Sequence, residues 1–157
     1  MVNLNKIFMN KLLLFIFSLS LATSGFAQTN VVDWKFESKK LGDKKYEVKL
    51  IAVVARPWHI YSTTTPDGGP LPTKITFTKN PLAVMEGKLK EVGKLETRFE
   101  DVFDVDTKFF NDKVEFVQVV SLKAPVKTSL TGSVEFMTCN DKECLPPTSV
   151  PFSIALK

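Results

Sequence analysis

The sequence predicts an all-β protein with the architecture of an immunoglobulin-like β-sandwich. Apolar residues alternate with polar residues over several short runs, which is typical of strands that bury one face. Turn-forming residues separate these runs, and no stretch repeats apolar residues with the 3.6-residue period of a helix. An array of about seven or more such strands is the pattern of an immunoglobulin-like sandwich.

The individual strands follow from this alternation, taken in chain order. They are predicted around Trp34 and Phe36; Tyr46, Val48 and Leu50; Ile75 and Phe77; Val134 and Phe136; and Phe152, Ile154 and Leu156. Residues 114–122 are more continuously apolar, which predicts a central strand buried on both faces. Turns are predicted at residues 41–43, 66–70, 80–81, 111–112 and 131–132, where Gly, Pro, Asn and Asp cluster.

The N-terminus has the composition of a secretory signal peptide. Lys6 and Lys11 provide a positive segment, and residues 12–22 form an apolar segment. Within residues 24–27, small residues stand at the two positions that a signal peptidase reads, which predicts cleavage after Ala27. The apolar segment is shorter than the roughly 20 residues of a membrane-spanning helix; an uncleaved anchor is the alternative. We therefore expect residues 1–27 to be a signal peptide and residues 28–157 to be one domain exported to the periplasm.

The charge pattern argues against nucleic acid as a partner. The net charge is +4, and Lys, Asp and Glu are interspersed rather than gathered into basic runs. A metal centre is not expected either, because two cysteines and a single histidine supply too few soft ligands for a zinc site. No cofactor is expected.

The two cysteines, Cys139 and Cys144, are the most informative residues of the chain. Cysteines this close, in an exported domain with no others, form either a small structural staple or a redox centre. A staple that closes so short a loop stabilises a fold by only about 2 kcal/mol. Spacing and composition alone leave both readings open.

The cysteine segment, residues 134–148, resembles the active-site hairpin of the periplasmic N-terminal domain of DsbD, the disulphide bond corrector family. The most specific part is Cys-x4-Cys followed by an apolar residue and two prolines. Weaker similarities occur at residues 58–62, 68–72 and 103–112, although residues 68–72 have no assigned chemical role. The best-known members have one more residue between the cysteines. The resemblance implies an immunoglobulin-like fold over the whole exported domain.

The resemblance also implies a function, that of a thiol–disulfide oxidoreductase of the protein-disulfide reductase type. Cys139 and Cys144 would be the catalytic pair, with Cys144 engaging the partner. A membrane-embedded DsbD-like protein would donate electrons, and periplasmic thioredoxin-fold or cytochrome c maturation proteins would receive them. Since the sequence ends at Lys157 without a membrane relay, the domain is expected to be free-standing. The alternatives are a non-catalytic immunoglobulin-like binding module with a structural disulfide, and an exported accessory or adhesion protein.

Four further residues are expected around the cysteines. The resemblance implies that Phe103 caps the pair, with Phe99 as a substitute; an ordinary core phenylalanine is the alternative. His59 and Tyr61 would lie close to the pair and on one strand face because of their spacing, although a surface histidine is the alternative. Asp101 would raise the pKa of a nearby thiol by charge repulsion.

Overall fold

A computed structural model of the protein describes residues 30–101 and 103–157, so the predicted signal peptide lies outside the described residues. These residues form strands and no helix, and therefore no helix that would cross a membrane. The strands are β1 (Val32–Gly42), β2 (Lys45–Val54), β3 (His59–Tyr61), β4 (Lys74–Phe77), β5 (Ala83–Gly93), β6 (Glu96–Glu100), β7 (Val105–Phe110), β8 (Lys113–Leu122), β9 (Thr128–Phe136), β10 (Thr138–Cys139) and β11 (Thr148–Leu156). The prediction of an all-β protein is confirmed.

The strands form three sheets in which every pairing is antiparallel. Sheet A has the order β1-β2-β8-β5, sheet B the order β10-β3-β7-β6, and sheet C the order β11-β9-β4. The five strands predicted from alternation correspond to β1, β2, β4, β9 and β11, and the strand predicted from the apolar run at residues 114–122 corresponds to β8.

The main core lies between sheets A and C and is closed by residues of sheet B. Trp34 of β1 bridges the two sheets, since its ring centre lies 5.9 Å from that of Phe116 in β8 and 5.3 Å from that of Phe136 in β9. Sheet B contributes Ile60 and Phe110 to the same buried cluster. The alternating apolar residues of the sequence therefore supply the inner faces of a sandwich.

Strand β8 is an inner strand of sheet A, as predicted, but its expected burial on both faces is wrong. Val114, Phe116, Gln118 and Val120 are buried, whereas the residues that alternate with them are only partly buried. The outer face is polar at Glu115, which accepts bonds from Lys49 at 3.0 Å and Lys113 at 2.8 Å. Ion pairs and solvent, rather than a second apolar layer, cover this face.

The turn predicted at residues 131–132 is also wrong, because both residues lie inside β9. Gly132 pairs with Phe77 on one side and Phe152 on the other. A Cβ atom at this position would lie 2.5 Å from Cζ of Phe152, and it would also collide with the carbonyl of Thr76. This glycine permits close approach of neighbouring groups within a strand rather than a reversal of the chain.

Candidate functional site

The two cysteines form a disulfide bond whose Cα atoms are 4.0 Å apart. The two residues differ sharply in burial. Cys139, at the end of β10, is 2% exposed, whereas Cys144 lies on the surface. One half of the disulfide is therefore reachable by another protein and the other half is shielded. Among the described residues, no group of three or more His, Cys, Asp or Glu side chains is arranged to hold a metal ion.

The loop between the cysteines is a tight hairpin held by hydrogen bonds that involve no sulfur. The backbone N–H of Leu145 donates to the carbonyl of Thr138 at 2.8 Å, and that of Asn140 donates to Glu143 at 2.9 Å. The Asn140 side-chain oxygen accepts bonds from the N–H groups of Lys142 and Glu143 at 2.8 and 2.9 Å. These bonds favour the same hairpin after reduction and would keep the two thiols close together.

The buried half of the disulfide belongs to a small apolar cluster that is separate from the main core. Cys139 packs with Tyr61 of β3 and Phe109 of β7, and Met137 lies against them. In the pairing of β10 with β3, Cys139 stands directly opposite His59. Sheet B thus brings the cysteine hairpin and the aromatic strand β3 together.

His59 and Tyr61 lie on the same face of β3, as predicted from their spacing. The His59 Nε2 atom is 3.2 Å from the Tyr61 hydroxyl oxygen, and the two rings meet edge to face. Both side chains are buried, so the alternative of a surface histidine is wrong. Burial, with the nearby positive charge of Arg98, lowers the pKa of His59. Burial also raises the pKa of Tyr61 to about 12.

Arg98 of β6 is a site residue that was not predicted from the sequence. Its guanidinium carbon lies 5.1 Å from the centre of the Phe109 ring. It pairs with Glu100 at 2.8 Å and with Asp141, between the cysteines, at 3.3 Å. Only two of the 21 basic residues are arginines. This is the one sequence feature that distinguishes Arg98, because a guanidinium, unlike an ammonium group, is planar and can stack on a ring.

Phe103 and Asp101 both lie in the exposed turn between β6 and β7. Phe103 is 42% exposed, so the alternative that it is a core residue is wrong. Asp101 is exposed as well, and the structure places Asp141 rather than Asp101 in contact with Arg98. Phe99, the substitute for the cap, is 53% exposed on β6. The roles of Phe103 and Asp101 at the site stay predictions.

The glycine-rich segment 68–72 packs against the turn that carries Phe103. A Cβ atom on Gly69 would lie 2.9 Å from Cγ2 of Val105 and 3.9 Å from Cβ of Phe103. Gly68 has a positive φ of 96°, a conformation that favours glycine. This pair of glycines therefore lets the segment lie close beneath the β6–β7 turn.

Comparison with known proteins establishes the fold. No protein-family model matches the chain, and no curated protein matches it either. Among solved structures, it is similar to the reduced N-terminal domain of DsbD from Neisseria meningitidis, with 12% identity and a TM-score of 0.52 over 80% of this chain and 86% of that chain. A chain from the complex between the DsbD and PilB N-terminal domains of that organism gives 11% identity and a TM-score of 0.50 over 84% and 88%.

A third similar structure is the N-terminal periplasmic domain of ScsB from Proteus mirabilis, with 16% identity and a TM-score of 0.50. The similarity covers 80% of this chain but only 44% of that one. At such identities the matches establish a shared fold. They confirm, for the fold, the resemblance to the DsbD N-terminal domain and the predicted immunoglobulin-like sandwich.

Proposed function

We propose that this protein performs thiol–disulfide exchange through Cys139 and Cys144, as a periplasmic oxidoreductase of the protein-disulfide reductase type. The observation that carries the proposal is the difference in burial between the two residues, with Cys139 2% exposed and Cys144 on the surface. An exchange centre needs one sulfur that a partner can reach and a second, close by, that resolves the adduct. The hairpin supplies both.

The reaction begins from the reduced pair. The Cys144 thiolate attacks one sulfur of the partner's disulfide, forming a mixed disulfide, and the partner's other sulfur leaves as a thiolate that takes up a proton. The Cys139 thiolate then attacks Sγ of Cys144. The intramolecular disulfide forms, and the partner's remaining sulfur leaves and takes up a proton. Two electrons and two protons have passed from the cysteine pair to the partner.

The oxidised pair returns to its dithiol form by the same exchange with a donor dithiol. The proposed donor is a membrane-embedded DsbD-like protein, and the proposed acceptors are periplasmic thioredoxin-fold or cytochrome c maturation proteins. The similarity to a chain from a complex of DsbD and PilB N-terminal domains supports a protein partner for this fold. The similarity to a periplasmic domain of ScsB supports the compartment.

The competing function is a binding module in which the disulfide only staples the hairpin. The exchange function is favoured because backbone bonds already close the hairpin and the main core includes neither cysteine. A staple on so short a loop would add only about 2 kcal/mol.

Equilibration with glutathione and dithiothreitol couples of known potential tests the proposal. We expect reversible oxidation and reduction of the folded protein, with a potential above the roughly −300 mV of inert structural disulfides. A potential well below that value, with the disulfide inaccessible to small thiols in the folded protein, would contradict the exchange function and favour the staple.

A further inference from the structure

Arg98 is held in one position by groups from three parts of the site. Its guanidinium lies over the Phe109 ring of β7, and its Nη2 pairs with Glu100 of its own strand. Its Nη1 pairs with Oδ1 of Asp141 at 3.3 Å, across 43 residues of sequence. Phe109 in turn packs with Cys139 and Tyr61. The arginine therefore connects the aromatic cluster around the buried cysteine to the loop that carries the exposed one.

This arrangement contributes little through ion-pair energy, since 41% of the Arg98 side chain and 85% of the Asp141 side chain are exposed. Exposed pairs of this kind have small effects on stability. What the contacts do achieve is a fixed position for one positive charge beside a loop whose own charges are mostly negative. Asp141 and Glu143 lie between the cysteines, with Lys142 as the one cation of that loop.

We propose that Arg98 is a positioning residue for exchange: held beside the cysteine loop by its contact with Asp141, its charge offsets the negative charge beside the Cys144 thiolate. The inference deepens the exchange function and rests on it. A thiolate is the attacking species in exchange, and neighbouring carboxylates disfavour it whereas a neighbouring cation favours it. Pairing Asp141 with Arg98 removes one of those unfavourable charges without removing the loop's hydrogen bonds.

Other titratable groups around the pair come from several elements. Strand β3 contributes His59 and Tyr61, and strand β6 contributes Glu100. The charge of Arg98 lowers the pKa of His59, opposite Cys139, in addition to burial, while Glu100 and Asp141 act against it. The influence of Arg98 thus extends to the buried side of the pair.

The test is the pH dependence of alkylation of the reduced protein by iodoacetamide. In Arg98→Ala we expect the apparent pKa of the more reactive thiol to rise. Near neutral pH, alkylation should then be slower than in the unaltered protein by a factor of roughly three or more, since the thiolate fraction changes tenfold per pKa unit. Well above the thiol pKa the two proteins should react at equal rates. Arg98→Lys, which keeps the charge, is expected to retain much of the rate. Lys94→Ala is the control, because the ion-pair partner of Lys94 is Glu96 rather than a residue of the loop.

The double variant Arg98→Ala with Asp141→Asn separates electrostatics from structure. If Arg98 acts by offsetting Asp141, the second change restores most of the lost rate, and Asp141→Asn alone speeds alkylation. An Arg98→Ala profile equal to that of Lys94→Ala, or a loss that Asp141→Asn does not restore in a protein with an unchanged melting curve, would overturn the proposal.

Should Arg98→Ala fail to fold, the single variant Asp141→Asn tests the proposal by itself. An unchanged or slower alkylation rate in that variant overturns it. The alkylation comparison decides whether Arg98 favours the thiolate, whereas reversible equilibration with redox couples decides whether the pair exchanges, so this inference and the exchange function can fail separately.

Discussion

His59 lies directly opposite Cys139 in the antiparallel pairing of β3 with β10, and its ring centre is 4.7 Å from that of Phe109. The imidazole is therefore part of the buried wall behind the disulfide. Because burial disfavours its charged form, this histidine is neutral near pH 7. A neutral ring next to the pair can donate a hydrogen bond from one nitrogen and accept one at the other without adding a charge to the buried cluster.

The titration of His59 is the first prediction. We expect its imidazole NMR signals to titrate with a pKa below the ordinary value of 6.5, because burial lowers that pKa. The assignment is unambiguous, since His59 is the only histidine in the sequence. A pKa at or above 6.5 would show that the ring is not shielded as described.

The same shift predicts how stability depends on pH. As the pH falls, the unfolded chain binds the His59 proton at a higher pH than the folded chain does. The contribution of neutral His59 to the free energy of unfolding is therefore fully present above about pH 6.5 and is lost as the pH falls toward the folded-state pKa. Urea unfolding at several pH values, compared with His59→Gln, measures it. The variant should lack this part of the pH dependence; identical pH profiles would contradict the assignment.

Removal of the disulfide is expected to leave a folded sandwich. Reduced and oxidised protein should differ in unfolding free energy by at most about 2 kcal/mol, as loop closure predicts. The main core is formed by other residues, and the hairpin has its own backbone bonds. Urea unfolding with and without reductant provides the measurement. A loss of cooperative unfolding on reduction would mean that the bridge is structural.

Phe103 is predicted to shield the pair. Phe103→Ala should speed the reduction of the disulfide by a small thiol, because access is one of the factors that set exchange rates. Stability should change little, since the side chain is 42% exposed. Val126→Ala is a matched control with the same exposed fraction, in the loop between β8 and β9. An acceleration in Phe99→Ala but not in Phe103→Ala would transfer the cap to Phe99.

Gly69 is predicted to set the position of the β6–β7 turn. Gly69→Ala places a methyl group 2.9 Å from Cγ2 of Val105, so the Val105 side chain or the adjoining turn must shift and the protein should lose stability. Gly42→Ala is the control, because its new methyl would meet nothing within 4 Å. Adding Val105→Ala should recover part of the loss in a double-mutant cycle. Equal melting temperatures for the Gly69 and Gly42 variants would contradict the packing.

The sequence predicts this fold where a strand keeps a regular alternation and fails where it does not. β5 was not predicted, because its register against β8 shifts between Glu86 and Lys90, where Gly87 has a positive φ of 70°, and this breaks the period of two. Gly132 suggested a turn because glycine is common in turns, whereas its real constraint comes from neighbouring strands.

Some residues of the candidate site could likewise be predicted from the sequence, and others could not. The cysteines are separated by only five positions in sequence, and the spacing of His59 and Tyr61 fixes their common face, so these could be predicted. The pairing of Arg98 with Asp141 joins residues 43 positions apart and depends on how sheet B assembles. The burial that separates Cys139 from Cys144 is likewise a tertiary property, which spacing alone does not determine.

The most direct test of the account is the reaction of reduced single-cysteine variants with an aromatic disulfide such as 5,5′-dithiobis(2-nitrobenzoate). We predict that Cys139→Ala reacts rapidly at Cys144 and retains the mixed disulfide, seen by mass spectrometry, whereas Cys144→Ala reacts far more slowly at buried Cys139. The unaltered protein should release two thiolates and retain no adduct, because Cys139 resolves it. Equal reactivity of the two variants, or a stable adduct on the unaltered protein, would contradict exchange through an exposed Cys144 and a resolving Cys139.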